Sequence, residues 1–248
     1  MTTPNARRAF AAAVACLWTL GLAVTSDGAQ YAVLAGVWDY QSEALALEAP
    51  RNDLILMRTL LADERYEAGS VIVLENPTKT EMVASLEGLA ERIGPSDTFL
   101  FYFSGHGTRA KDKNGDEEDG FDELLCVWDS GMFDTTFVRD DDLSKWLHAV
   151  PAREKIVFLD CCHSGTGSKS IYQGDNAVKE AGINWSKIEA ASPEEEEAAE
   201  RAVDLAIAQL GAPSRTLSPD GEATVLEFAA CQPDQVSMEH GGLKHGVF

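Results

Sequence analysis

The stretch Lys155–Gly167, KIVFLDCCHSGTG, ends a short apolar run on two adjacent cysteines and a histidine. Ile156, Val157, Phe158 and Leu159 are branched or aromatic in an unbroken row, the pattern of a strand buried on both faces. The row stops at Asp160, and the small and polar residues beyond it read as a loop. In an open α/β sheet, loops at the carboxyl ends of strands are where ligands and chemistry collect. On this stretch alone two readings of the cysteine pair stay open. They are small core residues, since free cysteine is often buried, or one of them is a thiol presented for chemistry.

Strand-like runs recur on either side. YAVLAGVW (Tyr31–Trp38), SVIVLE (Ser70–Glu75), DTFLFYFSGHG (Asp97–Gly107) and ATVLEFAAC (Ala223–Cys231) are predicted strands. Between them lie runs with helical spacing of apolar residues: APRNDLILMRTLLADER from Ala49, TKTEMVASLEGLAERI (Thr78–Ile93) and DDLSKWLHAV (Asp141–Val150). Thr78 with Glu81 three residues on forms the signature of a capping box. Strand and helix alternate, so the chain is predicted to be α/β, three-layered, with a mainly parallel central sheet flanked by helices. Two segments break the rhythm. Arg109–Glu123 reads as a polar loop dense in carboxylates, and residues 168–222 read as an acidic insertion or linker. The insertion contains SPEEEEAAERAVDLAIAQLG, a surface helix with Ser192 as its cap and Gly211 as its end.

The formal charge of −21 excludes nucleic acid as a partner, because phosphate binding needs clustered Lys and Arg. It favours cationic ligands and basic peptides. Residues 1–29 read as a secretory signal: Arg7 and Arg8 precede the apolar run Ala9–Val24, and small residues follow. The arginine pair also resembles the start of a twin-arginine signal. The run is short for a membrane span, so no stable span is expected after cleavage, and the protein is expected to be secreted or periplasmic. Cys16 would leave with the signal, while Cys126, Cys161, Cys162 and Cys231 stay. No CxxC pair occurs, so zinc is not expected. Adjacent cysteines make a poor disulfide framework, which favours a reactive thiol.

The strand ending in SGHG carries His106 and the one ending in DCC carries Cys162. If those strands are adjacent and parallel, an imidazole and a thiol meet at one sheet edge, and a base beside a thiol makes a nucleophile. His106 stands between Gly105 and Gly107, which leaves room for a substrate to approach.

Taken together, YFSGHGT, DGFDELLCVWD and VFLDCCHSG resemble the metacaspase and orthocaspase branch of the caspase-like cysteine peptidases. The resemblance runs from about Ala32 to Phe248, leaving out the acidic insertion. It implies a caspase-like fold, with His106 as base and Cys162, directly before H-S-G, as nucleophile. Cys161 falls at a position that varies in the family. The resemblance further implies an oxyanion hole of backbone N–H groups from Gly107 and Cys162. It implies cleavage after Arg or Lys, through an acidic S1 pocket of Asp53, Ser104 and Asp160, which two carboxylates suit by charge-assisted hydrogen bonds. No cofactor is required, but Ca²⁺ is a candidate activator, at positions matching Asp122, Asp140 and Asp141. A further acidic residue usual after the catalytic motif is replaced here by Lys169. The loop Asp112–Asp119 resembles the start of an EF-hand but has its glycine misplaced, and it reads as solvated.

Family members cut themselves at basic residues between the two halves of the domain, for which Lys169, Lys179, Lys187, Arg201 and Arg215 are candidates. The family continues into a helix beyond the HGVF turn, so residues 30–248 are expected to form a peptidase domain with a truncated C-terminal part. Two alternatives stay open: a catalytically silent caspase-fold module that binds or regulates, and a His/Cys peptidase of the gingipain or clostripain type.

Overall fold

The computed structural model describes residues 28–63, 66–67, 69–115, 117, 120–131, 134–161, 176–178, 192, 194, 201, 224–229, 238–240 and 245–246. In chain order the strands are β1 (Gln30–Gly36), β2 (Val71–Glu75), β3 (Thr98–Ser104), β4 (Gly107–Lys111), β5 (Phe121–Leu125), β6 (Val138–Arg139), β7 (Glu154–Asp160), β8 (Asn176–Val178), β9 (Thr224–Ala229), β10 (Met238–His240) and β11 (His245–Gly246). The helices are α1 (Ala49–Asp63), α2 (Lys79–Ala90) and α3 (Asp140–Ala149).

All five strands expected from apolar runs form one sheet, in the order β2-β1-β3-β7-β9, and every pair in it is parallel. The chain steps from β1 to β2 in one direction and from β2 across β1 to β3 in the other. Parallel crossovers are right-handed, so reversing direction puts successive helices on opposite faces. The core divides accordingly. Ala32, Leu34, Leu100, Tyr102 and Phe158 face Leu54, Met57 and Leu61 of α1. Val33, Ala35, Phe99, Phe101, Phe103, Val157 and Leu159 face Met82, Leu86 and Leu89 of α2 and Leu143, Trp146 and Leu147 of α3. Each central strand alternates between the two clusters with a period of two while apolar on both sides, which is why its sequence is an unbroken apolar run.

Helix α2 starts on the predicted capping box. Thr78 Oγ1 accepts the Glu81 backbone N–H, and the Glu81 carboxylate accepts the Thr78 backbone N–H.

The expectation of a plain loop over Arg109–Glu123 is corrected. β4 and β5 pair antiparallel across it and β6 joins β5, giving a small second sheet. The strand sequence GTRAK carries one apolar side chain, too weak an alternation to be read. Its burial comes from tertiary contact, with Gly107, Thr108 and Ala110 covered. At the tip between β4 and β5, Asp112 accepts N–H groups from Asn114, Gly115 and Glu117. A third small sheet, β11-β10-β8, joins a strand from within the 168–222 segment to the chain's last strands.

Candidate active site

The reversal of strand order between β1 and β3 creates the crevice in which open α/β folds hold their ligands. Three segments leave the sheet there: the loop after β1, the turn after β3 and the chain after β7. β3 and β7 are adjacent, with Ser104 opposite Asp160. His106 follows Ser104 by two residues, as Cys162 follows Asp160. Cys162 itself lies outside the described residues, while Cys161 is fully buried at the end of β7.

His106 is 4% exposed and held at three points. Its backbone N–H donates to the Tyr40 hydroxyl at 2.7 Å, and its carbonyl accepts the Cys126 N–H at 3.0 Å. Its Nε2 lies 3.0 Å from the Leu45 carbonyl oxygen. A carbonyl can only accept, so Nε2 carries the proton and Nδ1 is the nitrogen with the basic lone pair. Tyr40 stacks its ring against the imidazole, with centroids 5.2 Å apart and planes tilted by 45°. A side chain on Gly105 would come within 2.9 Å of the Tyr40 hydroxyl and 3.0 Å of the Phe103 ring. That glycine therefore admits protein atoms, where sequence reasoning had assigned it to substrate access. Gly107 opens β4 and is buried.

The three residues expected to form a basic-residue pocket converge. Asp53 on α1, Ser104 at the tip of β3 and Asp160 at the tip of β7 are all buried. The Ser104 hydroxyl donates to Asp53 Oδ2 at 3.0 Å, and Ser104 and Asp160 are register partners. Tyr102 lies one layer below on the same face of β3. Burial raises its phenol well above the ordinary value, and the charges of Asp53 and Asp160 add to the rise. Both carboxylates thus act on one small volume beneath the strand ends.

The acidic residues near α3 divide differently from the sequence expectation. Asp122 is buried and ion-paired with Arg139, and Asp141 accepts from the Asn114 amide at 2.6 Å. Asp140 instead meets Glu117 and Glu123, all with carboxylate oxygens within 4.8 Å of one another. Asp140 Oδ1 is buried with no hydrogen-bond partner among the described residues. Burial pushes its carboxyl up to about 6, with Asp141, Asp122 and Glu117 adding like charge. An oxygen-rich cluster with an orphaned buried carboxylate oxygen fits a hard divalent cation.

Sequence reasoning missed Tyr40, the Leu45 carbonyl, Glu117 and Glu123. The two glutamates sit in the carboxylate-rich stretch already noted, so a signal existed for them. A backbone carbonyl has no sequence signature. Of the expected self-cleavage positions, Arg201 is helical and exposed, and Lys169, Lys179, Lys187 and Arg215 lie outside the described residues. So do residues 1–27, Cys231 and most of the acidic insertion.

The profile of the caspase domain family (Peptidase_C14) matches residues 29–248. A metacaspase-1 of Arabidopsis thaliana is 33% identical over 151 residues, covering 56% of this chain and 40% of that protein. A metacaspase-1 of Yarrowia lipolytica is 31% identical over 175 residues, covering 63% of this chain and 37% of that protein. The chain thus spans about two fifths of the length of these curated relatives. A Geobacter sulfurreducens protein of known crystal structure superposes with a TM-score of 0.58 at 25% identity, covering 89% of this chain and 78% of that one.

Proposed function

Because the chain belongs to the caspase domain family, we propose that it is a cysteine endopeptidase in which His106 and Cys162 cut the peptide bond after an arginine or lysine. The observation that carries this reading is the state of His106: buried at the crevice, with Nε2 committed to the Leu45 carbonyl and Nδ1 as the base. The Cys162 thiol gives its proton to Nδ1, and the sulfur attacks the scissile carbonyl carbon. The oxyanion is met by backbone N–H groups, for which Gly107 and Cys162 are the candidates. His106 then returns the proton to the leaving amine as the C–N bond breaks. Water attacks the resulting thioester with His106 as base, releasing the acid and restoring the thiol.

Support for a basic P1 residue comes from Asp53, Ser104 and Asp160, which gather two buried carboxylates at the strand tips beside His106. A guanidinium or ammonium entering there gains charge-assisted hydrogen bonds in a poorly solvated site. For calcium, Glu117, Glu123 and Asp140 would hold the ion, and it would supply positive charge that ties the 112–120 loop, β5 and α3 together. Self-processing at the basic residues after Cys162 and export through the N-terminal apolar run complete the proposal. Among the described residues no helix is long and apolar enough to cross a membrane.

The test is a fluorogenic peptide panel with Arg, Lys, Asp or norleucine before the cut, assayed with calcium and with chelator. Fast turnover of the Arg and Lys peptides over only residual cleavage of the others is expected, lost in Cys162→Ala and His106→Ala, and raised by calcium. Unchanged turnover in Cys162→Ala removes the cysteine mechanism. No turnover of any peptide by the wild type favours a silent binding module.

A further inference from the structure

The hydrogen-bond ladder between β4 and β5 carries an anomaly at the residue that matters most. Gly107 is opposite Leu125, so His106 and Cys126 form the next pair of the antiparallel ladder. The Cys126 N–H reaches the His106 carbonyl at 3.0 Å, which makes them a hydrogen-bonded pair. Such a pair normally exchanges two bonds. Here the second is relayed: the His106 N–H donates to the Tyr40 hydroxyl at 2.7 Å, and that hydroxyl donates to the Cys126 carbonyl at 3.3 Å. A phenol oxygen from the loop after β1 stands in the rung between the two strands.

We infer that Tyr40 is a positioning residue for His106: its hydroxyl, inserted between the His106 N–H and the Cys126 carbonyl, fixes the backbone from which the imidazole projects. The inference rests on His106 being the base proposed above. His106 lies between two glycines, which restrain the backbone least of all residues, so its orientation has to come from outside the turn. Tyr40 supplies the hydrogen bond and a ring face against the imidazole, and Leu45, five residues on, supplies the carbonyl that orders the tautomer. The loop carrying both is itself anchored. Val37 N–H donates to the Ser104 carbonyl at 2.9 Å, Leu47 N–H to the Trp38 carbonyl at 3.0 Å and Gln41 N–H to the Trp128 carbonyl at 3.1 Å. Gly105 is the residue that lets the phenol in, since any β-carbon there would strike the hydroxyl. Without the relay, the rung either closes directly, drawing His106 towards Cys126, or leaves a buried N–H and a buried carbonyl unmet. Both displace the imidazole from its place over the crevice.

Tyr40→Phe keeps the ring and removes only the oxygen. In the full-length enzyme, kcat is expected to fall about 10- to 100-fold, the scale of a small misplacement of a catalytic group, with KM within about twofold. An unchanged kcat in a folded variant overturns the inference. A second form keeps the oxygen: a polyfluorinated tyrosine incorporated at position 40. Its more acidic phenol accepts more weakly from the His106 N–H and donates more strongly to the Cys126 carbonyl, which shifts the relay and should change kcat while KM holds. A kcat identical to wild type overturns the inference. A third readout does not need turnover. The His106 imidazole NMR resonances, assigned by their loss in His106→Asn, should shift or broaden in the fluorotyrosine protein. If they do so in a protein that cleaves no peptide, the enzymatic reading fails while the positioning stands. If they stay fixed, the positioning fails whatever the activity.

Discussion

Asp53→Asn separates recognition of a basic side chain from catalysis. Asparagine matches aspartate in shape and keeps an oxygen that can accept the Ser104 hydroxyl, which lies 3.0 Å from Asp53 Oδ2. The substitution therefore leaves the Ser104 hydroxyl an acceptor while exchanging one carboxylate oxygen and its charge for an amide NH2. A hydrogen bond to a charged partner contributes about 1.5–3 kcal/mol. Losing one to a bound guanidinium lowers kcat/KM for an arginine peptide by roughly 10- to 150-fold, at about 1.4 kcal/mol per tenfold. The loss should fall mainly on KM, because the P1 charge is bound in ground state and transition state alike. Peptides with norleucine in place of Arg should change less than twofold. In the free protein Asp53 and Asp160 act on the same Tyr102 phenol, so removing one charge relieves like-charge repulsion, and Tm should not fall. The assay is a matched pair of Arg and norleucine peptides with a thermal melt alongside. Equal losses on both peptides, or an undiminished rate on Arg, would refute the assignment of Asp53 to the pocket.

Two further outcomes test the scaffold. Thr78→Ala removes the hydroxyl from the α2 capping box and should lower stability by about 1 kcal/mol, or about 2–4 °C in Tm for a chain of this size; an unchanged melt would show that packing alone starts the helix. The Lys155 side chain, buried on β7, makes no hydrogen bond or ion pair among the described residues, and burial lowers its pKa from the ordinary 10.5. The folded state then binds fewer protons than the unfolded one, so stability rises with pH between the folded value and 10.5. Lys155→Met should be more stable than wild type near pH 7, with the gain shrinking as pH approaches that upper limit. Denaturant melts across this range check it, and a gain independent of pH would sink the explanation.

The central sheet was legible because its inner strands β1, β3 and β7 are largely covered on both faces, which leaves the unbroken apolar rows seen in Ile156–Leu159 and Phe99–Phe103. Capping residues made α2 legible, since Thr78 and Glu81 act through contacts three residues apart. The β4–β5 hairpin was not legible. Its first strand, GTRAK, owes its burial to the elements around it, so no alternation marks it. At the acidic cluster the residue types were visible, but their grouping was not. Asp122 pairs with Arg139 while Asp140 meets Glu117 and Glu123, and that division depends on which way each side chain leaves its strand, loop or helix.

Composition and spacing alone determined an acidic α/β chain with His106 and Cys162 beyond the tips of two apolar strands. They did so because burial and chain reversal act on residue types over short distances. Tertiary structure alone decided that Ser104 lies opposite Asp160, that Asp53 bonds to Ser104, and that the Leu45 carbonyl and Tyr40 hydroxyl hold His106. These contacts join segments tens of residues apart through register and backbone groups. Every residue carries the same N–H and C=O, so nothing in the order of side chains announces which of them will be used.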